Sequence, residues 1–218
     1  MILPWADRLR AAVDTVPAIS NARALSRQAW ASIEQHAYPE LLLGPGALVV
    51  VDGPPGAGKS SWACRLADAV RGPALLVSSE EGLGPTLTAR LLRCAVKRDD
   101  FHVVSRASVD AAVELARKVG AVSLVLDSVQ SAVWSSDELR HVLSVVDDLA
   151  VLIAVLQVRK DNLPAGSNTF IHEADVRVRV EDGRWALAKS RYQPLGDVGG
   201  GVLANDRTPI PPTEENLP

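Results

Sequence analysis

The residues Gly53-Pro54-Pro55-Gly56-Ala57-Gly58-Lys59-Ser60 follow the apolar run Ala47-Val51 with only Asp52 between them. They open a stretch in which Trp62, Ala63, Leu66, Ala67 and Val70 share one helical face. A chain with this order must leave a buried strand, turn through backbone conformations that glycine permits, and enter a helix whose first N–H groups point back into the turn. Amides curled in this way cradle anions, and the helix dipole adds positive potential at the same place. The run satisfies G-x-x-x-x-G-K-[ST], with the strand before it and the helix after it that the pattern requires. It therefore predicts a nucleoside triphosphate site formed by Gly53, Pro54, Pro55, Gly56, Ala57, Gly58, Lys59, Ser60 and the adjoining Ser61. Lys59 is expected on the β/γ oxygens and Ser60 on Mg²⁺, so ATP and Mg²⁺ are the expected cofactors.

The rest of the chain repeats a strand-then-helix rhythm. Runs rich in Val, Leu and Ile at Ala47-Val51, Ala74-Ser78, Phe101-Val104, Val122-Leu126 and Val151-Val158 read as strands buried on both faces. Helical stripes at Lys59-Val70, Val109-Val119 and Asp137-Ala150 fall between them, which predicts crossover helices on a mostly parallel sheet. Near the end, Val176, Val178 and Val180 alternate with Arg177 and Arg179, and Glu181-Asp182-Gly183 turns into Arg184-Ser190, so a β-hairpin should extend the sheet. Residues 1–45 carry a helical patch at Leu3-Val16 without this rhythm. Residues 196–218 contain Gly199-Gly200-Gly201 and several prolines, and a mobile tail is expected there. The expected organisation is an N-terminal helical segment over 1–45, a core over 46–195 and a tail over 196–218.

With 218 residues and 47% hydrophobic content, the chain can bury one good-sized core. Its 23 basic and 26 acidic residues give a net charge of −3, so no global positive field announces nucleic acid or an anionic membrane. The two cysteines, Cys64 and Cys94, lie in apolar helical stretches and read as small buried hydrophobes. Early charge at Asp7 and Arg8 argues against a secretory leader, and the longest apolar run, Leu149-Leu156, is too short to span a bilayer. A soluble cytoplasmic protein with no membrane partner is the expectation.

A triphosphate site needs a second carboxylate at the end of another strand to hold the metal through water, and Ser123-Leu124-Val125-Leu126-Asp127 supplies Asp127. Hydrolysis also needs a base that orients the attacking water, and the strand Leu75-Leu76-Val77-Ser78-Ser79 ends in Glu80-Glu81.

Together these residues resemble the RecA-like ATPases, RecA and RadA/Sms in particular, over roughly positions 44 to 195. The run Glu80-Glu81-Gly82-Leu83-Gly84-Pro85 is similar to the E-H-A-L-D-P stretch of RecA, and the match implies that Glu80 is the base. Leu124-Val125-Leu126-Asp127-Ser128-Val129-Gln130 resembles L-V-V-I-D-S-I-Q of RadA, which strengthens Asp127 as the metal-side carboxylate. Val155-Leu156-Gln157-Val158-Arg159 resembles I-N-Q-I-R, where the glutamine senses the γ-phosphate, and this implies the same for Gln157. The following loop, through Asn168, would then contact single-stranded DNA with Arg159, Lys160 and Asn168. Ala188-Lys189-Ser190-Arg191-Tyr192 resembles the segment whose cations reach a neighbouring subunit's γ-phosphate, implying that Lys189 and Arg191 act in trans within a ring or filament.

The resemblance thus implies an α/β fold of the RecA-like P-loop NTPase type, with a mostly parallel central sheet, flanking helices and a C-terminal β-hairpin. It implies an oligomer-dependent, DNA-stimulated ATPase that assembles on single-stranded DNA in recombination or repair. The chain departs from the family in lacking the zinc module and C-terminal domains of its larger members. Gly84 and Leu87 also stand where RecA has an acidic residue and a tyrosine against adenine. A KaiC-like regulatory or assembly ATPase acting on a protein partner, contacted through residues 1–45 or the tail, is the alternative. A small-molecule kinase would leave Glu80, Gln157, Lys189 and Arg191 without a joint purpose.

Overall fold

The computed structural model describes residues 36–158, 169–195 and 201–202. The apolar runs form strands β1 (Ala47–Asp52), β2 (Ala74–Ser78), β3 (Phe101–Val104), β4 (Ser123–Asp127) and β5 (Val151–Val155), followed by β6 (Val176–Glu181), β7 (Arg184–Ser190) and β8 (Gly201–Val202). They make one sheet in the order β3-β2-β4-β5-β1-β6-β7-β8. The pairings from β3 to β6 are parallel, and β7 and β8 are added antiparallel. Every residue of β1, β2, β4 and β5 is buried, which is why their sequences are apolar in a run, but for Asp52, Ser78, Ser123 and Asp127 at their ends, rather than alternating.

The helices are α1 (Lys59–Ala69), α2 (Pro85–Arg93), α3 (Val109–Val119), α4 (Val129–Ala132), α5 (Ser136–Val145) and α6 (Thr169–Glu173). On one face of the sheet, Val49, Val51, Leu76, Val125, Ile153 and Val178 pack with Trp62, Ala63 and Leu66 of α1. Tyr38, Leu41 and Leu43, ahead of β1, join this cluster, and the Tyr38 ring stacks on Trp62 with centroids 4.6 Å apart. On the opposite face, Leu48, Val50, Leu75, Leu124, Leu126 and Leu152 meet Ala112 and Ala116 of α3, Leu139 and Val142 of α5, and Phe170 of α6.

The hairpin forms where the alternation predicts it. Val176, Val178 and Val180 are buried, and Asp182 and Gly183 take positive φ of 49° and 70°, the turn geometry that matches strand twist. Several element ends differ from the sequence expectation, most by one residue. The helix expected to reach Ala150 ends at Val145, and Val146 is already extended with ψ 94°. Continuing the helix would place Asp147 and Asp148 at the negative end of its dipole. The strand expected to reach Val158 ends at Val155; Leu156 N–H still donates to the Val51 carbonyl at 2.8 Å, and at the next residue Gln157 N–H donates to the Gln130 side-chain oxygen at 3.1 Å. The strand expected over Val122-Leu126 runs one residue later and takes in Asp127. The short helices α2, α4 and α6 carry too few turns for their periodicity to be read.

The topology brings the chemistry-bearing residues to one edge. β5 lies between β1 and β4, with β2 beyond, and the register aligns Val51 with Val155, Val155 with Asp127, and Asp127 with Ser78. The segments that follow these positions therefore emerge side by side at the carboxyl ends of parallel strands, where open α/β sheets bind ligands.

Candidate active site

The loop from Gly53 to Ser60 is shaped by its glycines. Gly53 has φ 150°, and a Cβ there would lie 1.9 Å from the carbonyl oxygen of Val180 on β6, so this position has room for hydrogen alone. Gly56 and Gly58 have φ of 75° and 101°, which turn the loop back over the first turn of α1. Lys59 is buried, and its Nζ donates to the Pro54 carbonyl at 2.7 Å, lying across the loop. Burial holds its pKa below the usual lysine value, against the opposing pull of Glu80, Asp127 and Asp52.

Ser60 Oγ donates to Asp127 Oδ1 at 3.1 Å, so the loop's hydroxyl meets the carboxylate expected at the end of β4. Burial raises the Asp127 pKa, while Arg90 and the Ser60 hydrogen bond oppose the shift and Glu80 and Glu81 add to it. The Asp127 carbonyl accepts from Ser79 N–H at 2.7 Å and from Glu80 N–H at 3.2 Å. These bonds fix the backbone of Glu80 beside the loop.

A cavity of about 500 Å³ lies against these groups, lined by Pro55, Gly56, Gly58, Lys59, Ser60 and Ser61 from the loop and α1. Its other walls are Glu80 and Glu81 after β2, Arg90 and Arg93 of α2, Val155 and Gln157. Six of the nine predicted loop residues thus face the cavity; Gly53, Pro54 and Ala57 shape the loop, Ala57 N–H bonding the Pro54 carbonyl at 3.3 Å. Gln157, brought in beside them, is oriented by the Gln130 bond to its backbone.

Among the described residues, no group of three or more His, Cys, Asp or Glu side chains forms a metal cage. The serine hydroxyl and aspartate carboxylate are hard oxygen donors, which fits Mg²⁺ held chiefly by phosphate oxygens and water rather than by a protein cage. Leu87 is buried in the core cluster and does not line the cavity; Gly84 caps α2.

Lys189 and Arg191 do not line this cavity. Lys189 lies on β7, one strand beyond β6 from β1, its register is towards the amino end of β1 and away from the loop, and both side chains are engaged around the end of α6. Lys189 Nζ donates to the carbonyls of Ile171 and His172 at 3.0 and 2.6 Å. Arg191 Nη1 donates to Asp175 Oδ1 at 2.9 Å. Asp175 is buried, and its Oδ2 accepts from Leu48 N–H at 2.8 Å and from Arg140 Nη1 at 3.2 Å, tying together β1, α5 and the end of β7. Arg159, Lys160 and Asn168 lie outside the described residues, as do residues 1–35 and nearly all of 196–218.

Sequence reasoning passed over Arg90 and Asp175. Arg90 carried a signal: it follows the buried Leu87 by three positions in a helix begun by Pro85, which puts it on the inward face. Asp175 carried none, since its partners are far away in the chain.

No protein-family model matches the sequence, and no curated protein matches it. Solved structures do resemble the fold. The flagellar accessory protein FlaH from Methanocaldococcus jannaschii aligns with a TM-score of 0.53 at 13% identity, over 73% of this chain and 91% of that one. The KaiC-like protein PH0186 from Pyrococcus horikoshii OT3 aligns with a TM-score of 0.55 at 17% identity, over 80% of this chain and 92% of that one. Identities this low speak to architecture alone, and with the strand order above they show that the chain has the RecA-like α/β fold.

Proposed function

We propose that this protein is a Mg²⁺-dependent ATPase whose site is the cavity between the Gly53-Ser60 loop and the ends of β2, β4 and β5. The observation that carries the reading is the 3.1 Å contact between Ser60 Oγ and Asp127 Oδ1 at the end of the Gly53-Ser60 loop, with Glu80 and Gln157 lining the same cavity. In this reading the loop amides and Lys59 hold the phosphates, and Ser60 and Asp127 hold the metal, which neutralises charge on the β/γ oxygens when bound. Glu80 accepts a proton from the attacking water, and Gln157 lies where it can hydrogen-bond a γ-phosphate and pass that contact through Gln130 to α4. Turnover of ATP by wild type and by Glu80→Gln tests the assignment: the variant should bind nucleotide as wild type does and lose turnover about 100-fold or more.

Catalysis on this reading is shared between copies of the chain. Lys189 and Arg191 do not line their own cavity and sit towards the amino end of β1, away from the loop, which supports a role at a neighbour's site in a ring or filament. Mixing Lys59→Ala with Arg191→Ala subunits should restore turnover at interfaces that combine an intact loop with an intact arginine; mixtures as inactive as their components would refute shared sites.

The partner follows one of two readings. A regulatory or assembly ATPase acting on a protein is favoured by the likeness to FlaH and the KaiC-like protein and by the weak net charge. Assembly on single-stranded DNA in recombination or repair rests on the motif resemblance to RecA and RadA/Sms and on Arg159, Lys160 and Asn168. ATPase rates with and without single-stranded DNA at low salt separate them, because counterion release makes a phosphate-reading loop bind most tightly there.

A further inference from the structure

Arg90 places a second cation at the carboxylates of this cavity. Its Nη1 donates to Asp127 Oδ2 at 2.8 Å, and its Nη2 donates to Glu81 Oε1. The Arg90 side chain is 14% exposed and that of Asp127 3%, so this charge pair is screened by little water. Asp127 Oδ1 already accepts the Ser60 hydroxyl. Both oxygens of the carboxylate read as the metal's are therefore engaged, one by a loop residue and one by α2. A polyphosphate entering here meets Glu80 and Glu81 on the wall and Asp127 beside Ser60; of the cavity's cations Lys59, Arg90 and Arg93, Arg90 is the one hydrogen-bonded to two of these carboxylates.

We propose that Arg90 is the internal counter-cation of this site: it neutralises and holds Asp127 and Glu81 while no metal is bound, admits a polyphosphate ahead of its metal, and yields Asp127 to a divalent cation. The inference rests on the reading of the cavity as a nucleoside triphosphate site. The guanidinium reaches both carboxylates at once, and the positive charge it brings to them is what the role requires. When Asp127 turns to a metal, Arg90 keeps Glu81, and its freed Nη1 can donate to a phosphate oxygen. A purely structural ion pair would matter equally with and without metal; a counter-cation matters most when metal is absent.

The test is equilibrium binding of a non-hydrolysable ATP analogue to wild type, Arg90→Gln and Arg90→Lys, each in EDTA and in Mg²⁺. Arg90→Gln should weaken binding about tenfold or more in EDTA and no more than about threefold in Mg²⁺, because the metal then supplies the missing charge. Arg90→Lys should retain most of the metal-free affinity. Equal losses in the two conditions, or no loss in EDTA, overturn the proposal while leaving the nucleotide site standing. Failure of wild type to bind the analogue in either condition overturns the nucleotide reading and the proposal with it. Should thermal melting show Arg90→Gln unfolded, Glu81→Gln replaces it: deleting one anion that Arg90 offsets should tighten binding in EDTA and change it little in Mg²⁺, and weaker binding in EDTA contradicts the proposal.

Discussion

Ser60 Oγ donates a 3.1 Å hydrogen bond to Asp127 Oδ1, joining the first turn of α1 to the end of β4 across the strand that separates β4 from β1. The hydroxyl and the carboxylate are 67 residues apart in the chain, and the parallel register brings them to one edge. The contact also places a carboxylate among buried groups, with consequences for stability as well as for function.

Asp127 should make the ligand-free protein's stability fall with rising pH. Its folded pKa is raised above the unfolded value, chiefly by burial. Between the two values the folded state binds more protons than the unfolded state, so this contribution is present below about pH 4 and is lost as pH rises through the folded pKa. Asp127→Asn removes the effect. Melting curves across pH should show the variant gaining on wild type from about pH 4 upward; a constant difference at all pH values would contradict a folded pKa raised above the unfolded one.

Gly53→Ala should be destabilising even without ligand. The added Cβ meets the Val180 carbonyl oxygen at 1.9 Å, and a φ of 150° is unfavourable for alanine. Backbone strain and overpacking together should cost about 3 kcal/mol or more in chemical denaturation. A cost below about 1 kcal/mol would mean that β6 does not approach the loop this closely.

Asp175→Ala should destabilise by about 2 to 4 kcal/mol. The substitution leaves Leu48 N–H unpaired in the core and removes the acceptor shared by Arg140 and Arg191. Arg191→Ala alone should cost far less, since that side chain is 52% exposed. Urea denaturation of the two variants checks the contrast, and equal losses would remove Asp175 from its place as a structural hub.

Val133 gives the opposite case. It ends α4 with φ 60° while 85% exposed, a left-handed conformation that a β-branched residue adopts at a cost. Val133→Gly should raise stability by about 0.5 to 1 kcal/mol, the relief of strain exceeding glycine's extra chain entropy.

Local signals carried most of the fold. Continuous Val, Leu and Ile runs report burial on both faces, and the Val176, Val178 and Val180 alternation with Asp182-Gly183 reports a hairpin whose partner is adjacent in sequence. The Gly53-Ser60 loop was legible for the same reason, since its strand, turn and helix are contiguous. Arg90 and Asp175 were not, because each is defined by partners distant in the chain: Asp127 is 37 residues from Arg90, and Leu48 is 127 from Asp175. The end of β5 was misread for a related reason. Val151-Val158 is apolar throughout but for Gln157, whose N–H is taken by the Gln130 side chain, supplied by α4.

The most direct test of the account is equilibrium binding of MgATP to wild type and to Lys59→Ala. The account predicts saturable binding by wild type, weakened about 100-fold or more when the buried ammonium that lies across the loop is removed. Binding of equal strength by the two proteins would contradict it.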